Sequence, residues 1–167
     1  CELNLSDYTS MATGVSDNCD AAPTVTQLPV AGTIVSGAGT IETITLTATD
    51  ASGNSSDCTF NVNVEDDTNP FANCQDHTLI LDGSGSATLV VADIDNSSTD
   101  NCGIDIYLLN QTSFNCSNIG TNTVSLTVVD VSGNDSSCSA TVTVEDNEDP
   151  VLTCPTDIVV CSDDASG

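Results

Sequence analysis

The side chains that could do chemistry in this protein carry oxygen or sulfur. A block of oxygen donors runs Glu65-Asp66-Asp67-Thr68-Asn69-Pro70 toward Cys74, and it returns 80 residues later as Glu145-Asp146-Asn147-Glu148-Asp149-Pro150 toward Cys154. Shorter acidic blocks accompany it: Asp17-Asn18 and Asp50 to Asn54 ahead of the first, Asp100-Asn101 and Asp130 to Asn134 ahead of the second. Carboxylates and amide carbonyls are hard ligands, suited to calcium, which takes roughly six to eight oxygens. The chain has a single His and no C-x-x-C, so nothing favours a softer metal. The candidate calcium ligands are therefore Glu65, Asp66, Asp67, Asn69, Asp100, Asn101, Asp130 and Asn134 around one joint. Glu145, Asp146, Asn147 and Asp149 are the candidates at the next, and Asp17, Asn18, Asp50 and Asn54 form the corresponding set in the first part of the chain.

The same inventory argues against an enzyme. His77 has no partner of its own kind, no G-x-S-x-G occurs, and without Lys or Arg no permanently cationic side chain is there to stabilise an oxyanion. The carboxylates recur with a period, whereas a glycosidase needs one unique pair across a cleft. His77 reads as a strand residue beside the joint.

Nine Cys in 167 residues indicate an oxidising, extracellular setting. Three positions recur: the one after the joint (Cys74, Cys154), the one in Asp-Asn-Cys (Cys19, Cys102) and the one opening the last strand (Cys58, Cys138). A fourth moves. It is Cys116 in one repeat and Cys1 in the other, and Cys161 stands at the 160-residue counterpart of Cys1. Four cysteines allow three connectivities, and the economical one joins Cys74 to Cys138, Cys102 to Cys116 and Cys1 to Cys19. Cys58, Cys154 and Cys161 would then have partners elsewhere.

These residues need a scaffold that repeats as they do. Asp50 to Cys74 and Asp130 to Cys154 share twelve identities in twenty-five positions. In Ile44 to Thr49 and Cys58 to Val64 apolar residues alternate with polar ones around the turn Asp50-Ala51-Ser52-Gly53-Asn54, which predicts a β-hairpin. Val124 to Val129, Asp130 to Asn134 and Cys138 to Val144 predict the same hairpin again. His77 to Leu81, Ala87 to Ala92 and Ile104 to Leu109 read as further strands, and Pro23 to Gly39 as shorter ones. No window has sustained helical spacing. The expectation is an all-β chain of tandem immunoglobulin-like β-sandwich modules with a period of about 80 residues, stapled by disulfides. Its parts are residues 1–67, 68–148 and the start of a third module at 149–167, a piece of a longer array. In that topology the loops before the third strand and between the last two strands lie at the pole where the first strand begins. The three acidic blocks should converge there, with calcium between them.

Charge narrows the partners. There are 25 Asp and Glu and no Lys or Arg, a formal charge of −25, which makes nucleic acid and anionic membrane poor partners, so no nucleic acid is expected. No apolar run approaches the ~20 residues that span a bilayer, so no membrane insertion is expected of this segment. Self-repulsion on this scale calls for bound cations or a salty medium.

Asp100-Asn101-Cys102-Gly103, Gly120-Thr121-Asn122-Thr123-Val124, Asp130-Val131-Ser132-Gly133-Asn134, Cys138, Glu145-Asp146 and Asp149-Pro150 with Cys154-Pro155 together resemble the hyalin repeat, or HYR. Asp17-Asn18-Cys19, Gly39-Thr40, Asp50 to Asn54 and Cys58 carry the likeness in the first repeat. The resemblance implies immunoglobulin-like modules in long arrays of extracellular adhesive proteins, among them giant surface adhesins of gliding marine bacteria. It implies a cell-surface shaft or filament. Its partners would be the neighbouring modules of its own chain, lateral copies of itself and an unidentified surface ligand. The joint also resembles the acidic linkers of cadherins, which calcium rigidifies. Two other readings are a module that binds a glycan or a protein, and a module appended to a secreted hydrolase.

Overall fold

The computed structural model describes residues 1–157; Cys161 and the later part of the expected third module lie outside the described residues. The fold is all β, with each hydrophobic cluster enclosed by strands of one repeat. In the first repeat the strands are β1 (Glu2–Asn4), β2 (Thr24–Leu28), β3 (Ile34–Ser36), β4 (Ile41–Thr49) and β5 (Ser55–Asn63). They form a β2-β4-β5 sheet facing a β1-β3 ribbon. The second repeat has β6 (His77–Ile80), β7 (Ser86–Thr88), β8 (Ile104–Leu109), β9 (Ser113–Asn115), β10 (Gly120–Asp130) and β11 (Asp135–Glu145). Here the sheet is β6-β11-β10-β8 and the ribbon β7-β9.

Period-two alternation decides which side chains go inward. Along β10, Val124, Leu126, Val128 and Asp130 are buried at every second position, and across the hairpin Ala140, Val142 and Val144 of β11 join them. Leu79, Leu81, Leu89, Ile94 and Phe114 complete that core. The first core is smaller: Leu5, Val35, Ile44, Leu46 and Val64, extended by Tyr8 and Phe60 edge to face at 5.4 Å. Both hairpins close through Asp-x-Ser-Gly-Asn turns in which Gly53 and Gly133 take φ of +87° and +91°, a region that costs other residues strain. β6 runs parallel to β11, pairing His77 with Val142, so the first strand of the repeat lies beside its last. The outer edge of β5 carries no such strand among the described residues.

Ala87 to Ala92 is not one strand. β7 ends at Thr88, and a single helical turn, α1 (Val91–Ile94), follows. Asp93 holds the start of that turn by accepting the Val90 main-chain N–H at 2.8 Å, and Ile94, fully buried, anchors it. Three-residue spacing sends Ile94 inward where a strand would have sent it out.

Cys74 is bonded to Cys138, tying the segment before β6 to β11. The other disulfide joins Cys1 to Cys102, 101 residues apart and in different repeats. The expected pairs Cys102 with Cys116 and Cys1 with Cys19 do not form, because their members stand at opposite ends of a sandwich. Cys102 follows Asp100 at the leading pole, where the linker arrives. Cys116 follows β9 at the trailing pole, where Gly120 pairs with Val144. Eleven residues of β10 span about 35 Å between those poles, against the ~7 Å of Cα separation a disulfide tolerates. Likewise Cys1 adjoins β1 at the trailing pole of the first repeat, and Cys19 sits at its leading pole.

Candidate metal centre

The linker is anchored on both sides, by Val64 N–H to Thr40 at 2.9 Å and by the mutual bonds of Phe71 and Thr99 at 2.8 and 3.1 Å. Only Glu65 to Pro70 lie between. Asp66 turns back on itself, its Oδ1 accepting Thr68 N–H at 3.2 Å, and so faces the leading pole of the second repeat. Two loops meet it there. The loop before β8 presents Asp100, whose Oδ1 accepts Cys102 and Gly103 N–H at 2.6 and 2.8 Å. The β10–β11 turn presents Asp130, whose Oδ1 accepts Ser132 and Asn134 N–H, each at 2.8 Å.

Carboxylate oxygens of Asp66, Asp100 and Asp130 all lie within 4.8 Å of one another. Asp130 is 1% exposed. Burial pushes its carboxyl up, but bonds from the Asn134 side chain and main chain, with those of Ser132 and Gly133, outweigh it and hold the group below the usual carboxylate range. The remaining oxygen of Asp100, Oδ2, is buried and has no hydrogen-bond partner. No Lys or Arg exists anywhere in the chain to neutralise three acids so placed. Hard donors, convergent and one of them unsatisfied, suit a divalent cation of the calcium type.

The two asparagines of the expected set stand beside this cluster in another role. Asn134 turns its amide nitrogen toward Asp130 Oδ2 at 2.8 Å and the Asp66 carbonyl at 3.0 Å, and Asn101 turns its own toward Asp66 Oδ1 at 3.3 Å. In these contacts they donate and so orient Asp66 and Asp130. Glu65 and Asp67 flank Asp66 without joining the cluster, and Asn69 is exposed in the linker. Ser132, missed in the sequence, also reaches Asp66 Oδ2 at 3.5 Å; its recurrence as Ser52 in the other turn was the available signal. A second grouping of possible donors, Cys1, Asp66 and Cys102, loses its two sulfurs to the disulfide.

The other two sets repeat parts of this design. Asp17 Oδ1 accepts Cys19 and Asp20 N–H, both at 2.8 Å, as Asp100 does. Asp50 accepts Ser52 and Asn54 N–H and the Asn54 amide, each at 2.8 Å, as Asp130 does. Asn18 is exposed next to that turn. Among the described residues no linker carboxylate joins Asp17 and Asp50. At the following joint Asp146 accepts Glu148 N–H at 3.1 Å, the turn that Asp66 makes, with Glu145, Asn147 and Asp149 exposed around it. His77 is in β6, 4.0 Å from Asp93, and is not among the grouped donors.

The family model of the HYR domain matches residues 8–64, most of the first repeat. That segment is a hyalin-repeat-like module, of a family of extracellular, adhesion-type, non-catalytic modules. Comparison with curated proteins finds no match.

Proposed function

We propose, from the premise of a hyalin-repeat-like module joined to a second sandwich, that this chain is part of the shaft of a cell-surface adhesin or filament, and that calcium stiffens its joints. The observation that carries the calcium step is the buried, unpartnered Asp100 Oδ2 within the Asp66, Asp100 and Asp130 cluster. Each acid comes from a different place: linker, loop before β8, and β10–β11 turn. A cation bound among them would relieve like-charge repulsion and tie the linker to two loops of the next module at once. The remaining ligands would be main-chain carbonyls and water. The mechanical result is a joint whose angle is held, so that a string of modules extends as a shaft and carries its adhesive tip away from the cell.

Calcium titration of the 167-residue chain, followed by calorimetry and thermal unfolding, tests this. Calcium at 100 times its Kd should add about 2.7 kcal/mol of stability, and Asp100→Asn should abolish most of that gain. Small-angle scattering should show the particle shorten when calcium is chelated. No heat of binding and no change in melting temperature would overturn the calcium mechanism.

A further inference from the structure

The disulfide between Cys1 and Cys102 has a place in the fold that the second repeat reproduces with the thiol on the opposite strand. In the first ribbon Glu2 pairs with Ser36, so Cys1 and Gly37 stand next to each other just beyond it, and Gly37 N–H donates to the Cys1 carbonyl at 3.1 Å. In the second ribbon Ser86 pairs with Asn115, so Gly85 and Cys116 hold the corresponding places. The match continues inward: Leu5 and Leu89 are both buried, and their N–H groups donate to Thr33 and Thr112. Cys1 thus corresponds to Gly85, and Gly37 to Cys116. Each pair has one Cys and one Gly. A Cβ on Gly85 would lie 2.7 Å from Cys116 Sγ, so the sulfur occupies the space that a side chain on the facing strand would need. One thiol fits at this pole, and either strand can supply it.

The receiving end is also duplicated. Cys19 follows Asp17 in the turn that Cys102 makes after Asp100, with the same pair of main-chain bonds to the acid. Cys19 and Cys116 are exposed and have no disulfide partner among the described residues.

We infer that the inter-module disulfide recurs at successive joints. Cys116 bonds the Asp-Asn-Cys cysteine of the module that follows residue 149, and Cys19 receives the trailing-pole thiol of a module before it. This rests on the tandem-shaft reading. Two thiols lose two protons and two electrons as each S–S bond forms, and a protein disulfide of the extracytoplasmic space accepts them and becomes a dithiol. The array would then be linked twice at every joint, once by the backbone and once by sulfur.

Non-reducing peptide mapping of the full-length protein, alkylated before digestion and cleaved at acidic residues in the presence of a chelator, tests the inference. The expected result is a Cys116 peptide joined to an Asp-Asn-Cys peptide of the next module, lost on reduction. Cys116 alkylated as a thiol, or joined to Cys154, Cys161 or another copy of the chain, overturns it. A parent sequence with no module after residue 149 overturns the tandem reading as well, before any mapping. Because chelator is present throughout, failure of the calcium mechanism leaves this result untouched.

Discussion

Asp82 shows how a single acid shapes a turn in a chain that has no Lys or Arg to pair with it. Its Oδ1 accepts the Ser84 hydroxyl at 2.6 Å and the Ser84 and Ser86 N–H groups at 2.9 and 3.0 Å. The Ser84 hydroxyl, then the Ser86 and Ser84 main chain, hold its carboxyl below the usual range. A depressed folded pKa means that the unfolded chain binds more protons, so stability rises with pH. The contribution is complete above the ordinary value of 3.8 and is lost as pH falls through the depressed folded one. Asp82→Asn should therefore lower the melting temperature at pH 6 but narrow its further fall as pH drops below 3.8. Thermal unfolding of both proteins across that range checks it, and parallel curves would contradict it. Asp82 lies at the trailing pole, away from the calcium candidates, so the experiment isolates the turn.

At the level of elements, the hairpin β10–β11 carries most of the second core, and the disulfide to Cys74 ties the chain before β6 to β11. With 64 residues between the cysteines, loop closure is worth about 4 kcal/mol in the chain-entropy model. Domains of this size have total stabilities of roughly 5–15 kcal/mol, so the bond is a large share of what keeps the second sandwich folded. The double variant Cys74→Ala with Cys138→Ala should lose about that amount in urea unfolding, and the loss should appear in the transition of the second sandwich. β6 reads as the element that detaches first once the bond is gone, since it is only four residues long and pairs with β11 alone. Hydrogen exchange at Leu79 and Leu81, whose N–H groups face β11, would register that detachment. Unchanged protection would show that parallel pairing alone suffices.

Across the whole molecule, the linker and the Cys1–Cys102 bond make two separate connections between the sandwiches. Ala38, Gly39, Val64 and Glu65 line a shallow cleft there together with Val131 and Ser132. Two tethers leave much less angular freedom than one. Replacing Cys1 and Cys102 together by Ser should leave both sandwiches folded, with unchanged circular dichroism, and broaden the distance distribution in small-angle scattering. Unaltered scattering would mean that the linker and the pole contacts hold the angle without sulfur.

The strands, both hairpins and the repeat were legible in the sequence because alternation and turn chemistry act over a few residues and recur. The same locality made the acid-bearing turns at Asp50 and Asp130 readable, and strand direction alone brought Asp100 and Asp130 to the pole where Asp66 arrives. Sulfur pairing was legible within a repeat, at Cys74 with Cys138, but not between repeats, at Cys1 with Cys102. An 80-residue offset aligns Cys1 with Leu81, while the ribbon pairing aligns it with Gly85, and that four-residue slip hid the pole at which the thiol stands. Which cysteine it meets depends on how one sandwich is set upon the next, a relation between surfaces that strand periodicity does not encode. The orientation of the asparagines belongs to the tertiary structure too: composition counts the oxygen of Asn134, and only the packed joint turns its nitrogen toward Asp130 and the Asp66 carbonyl.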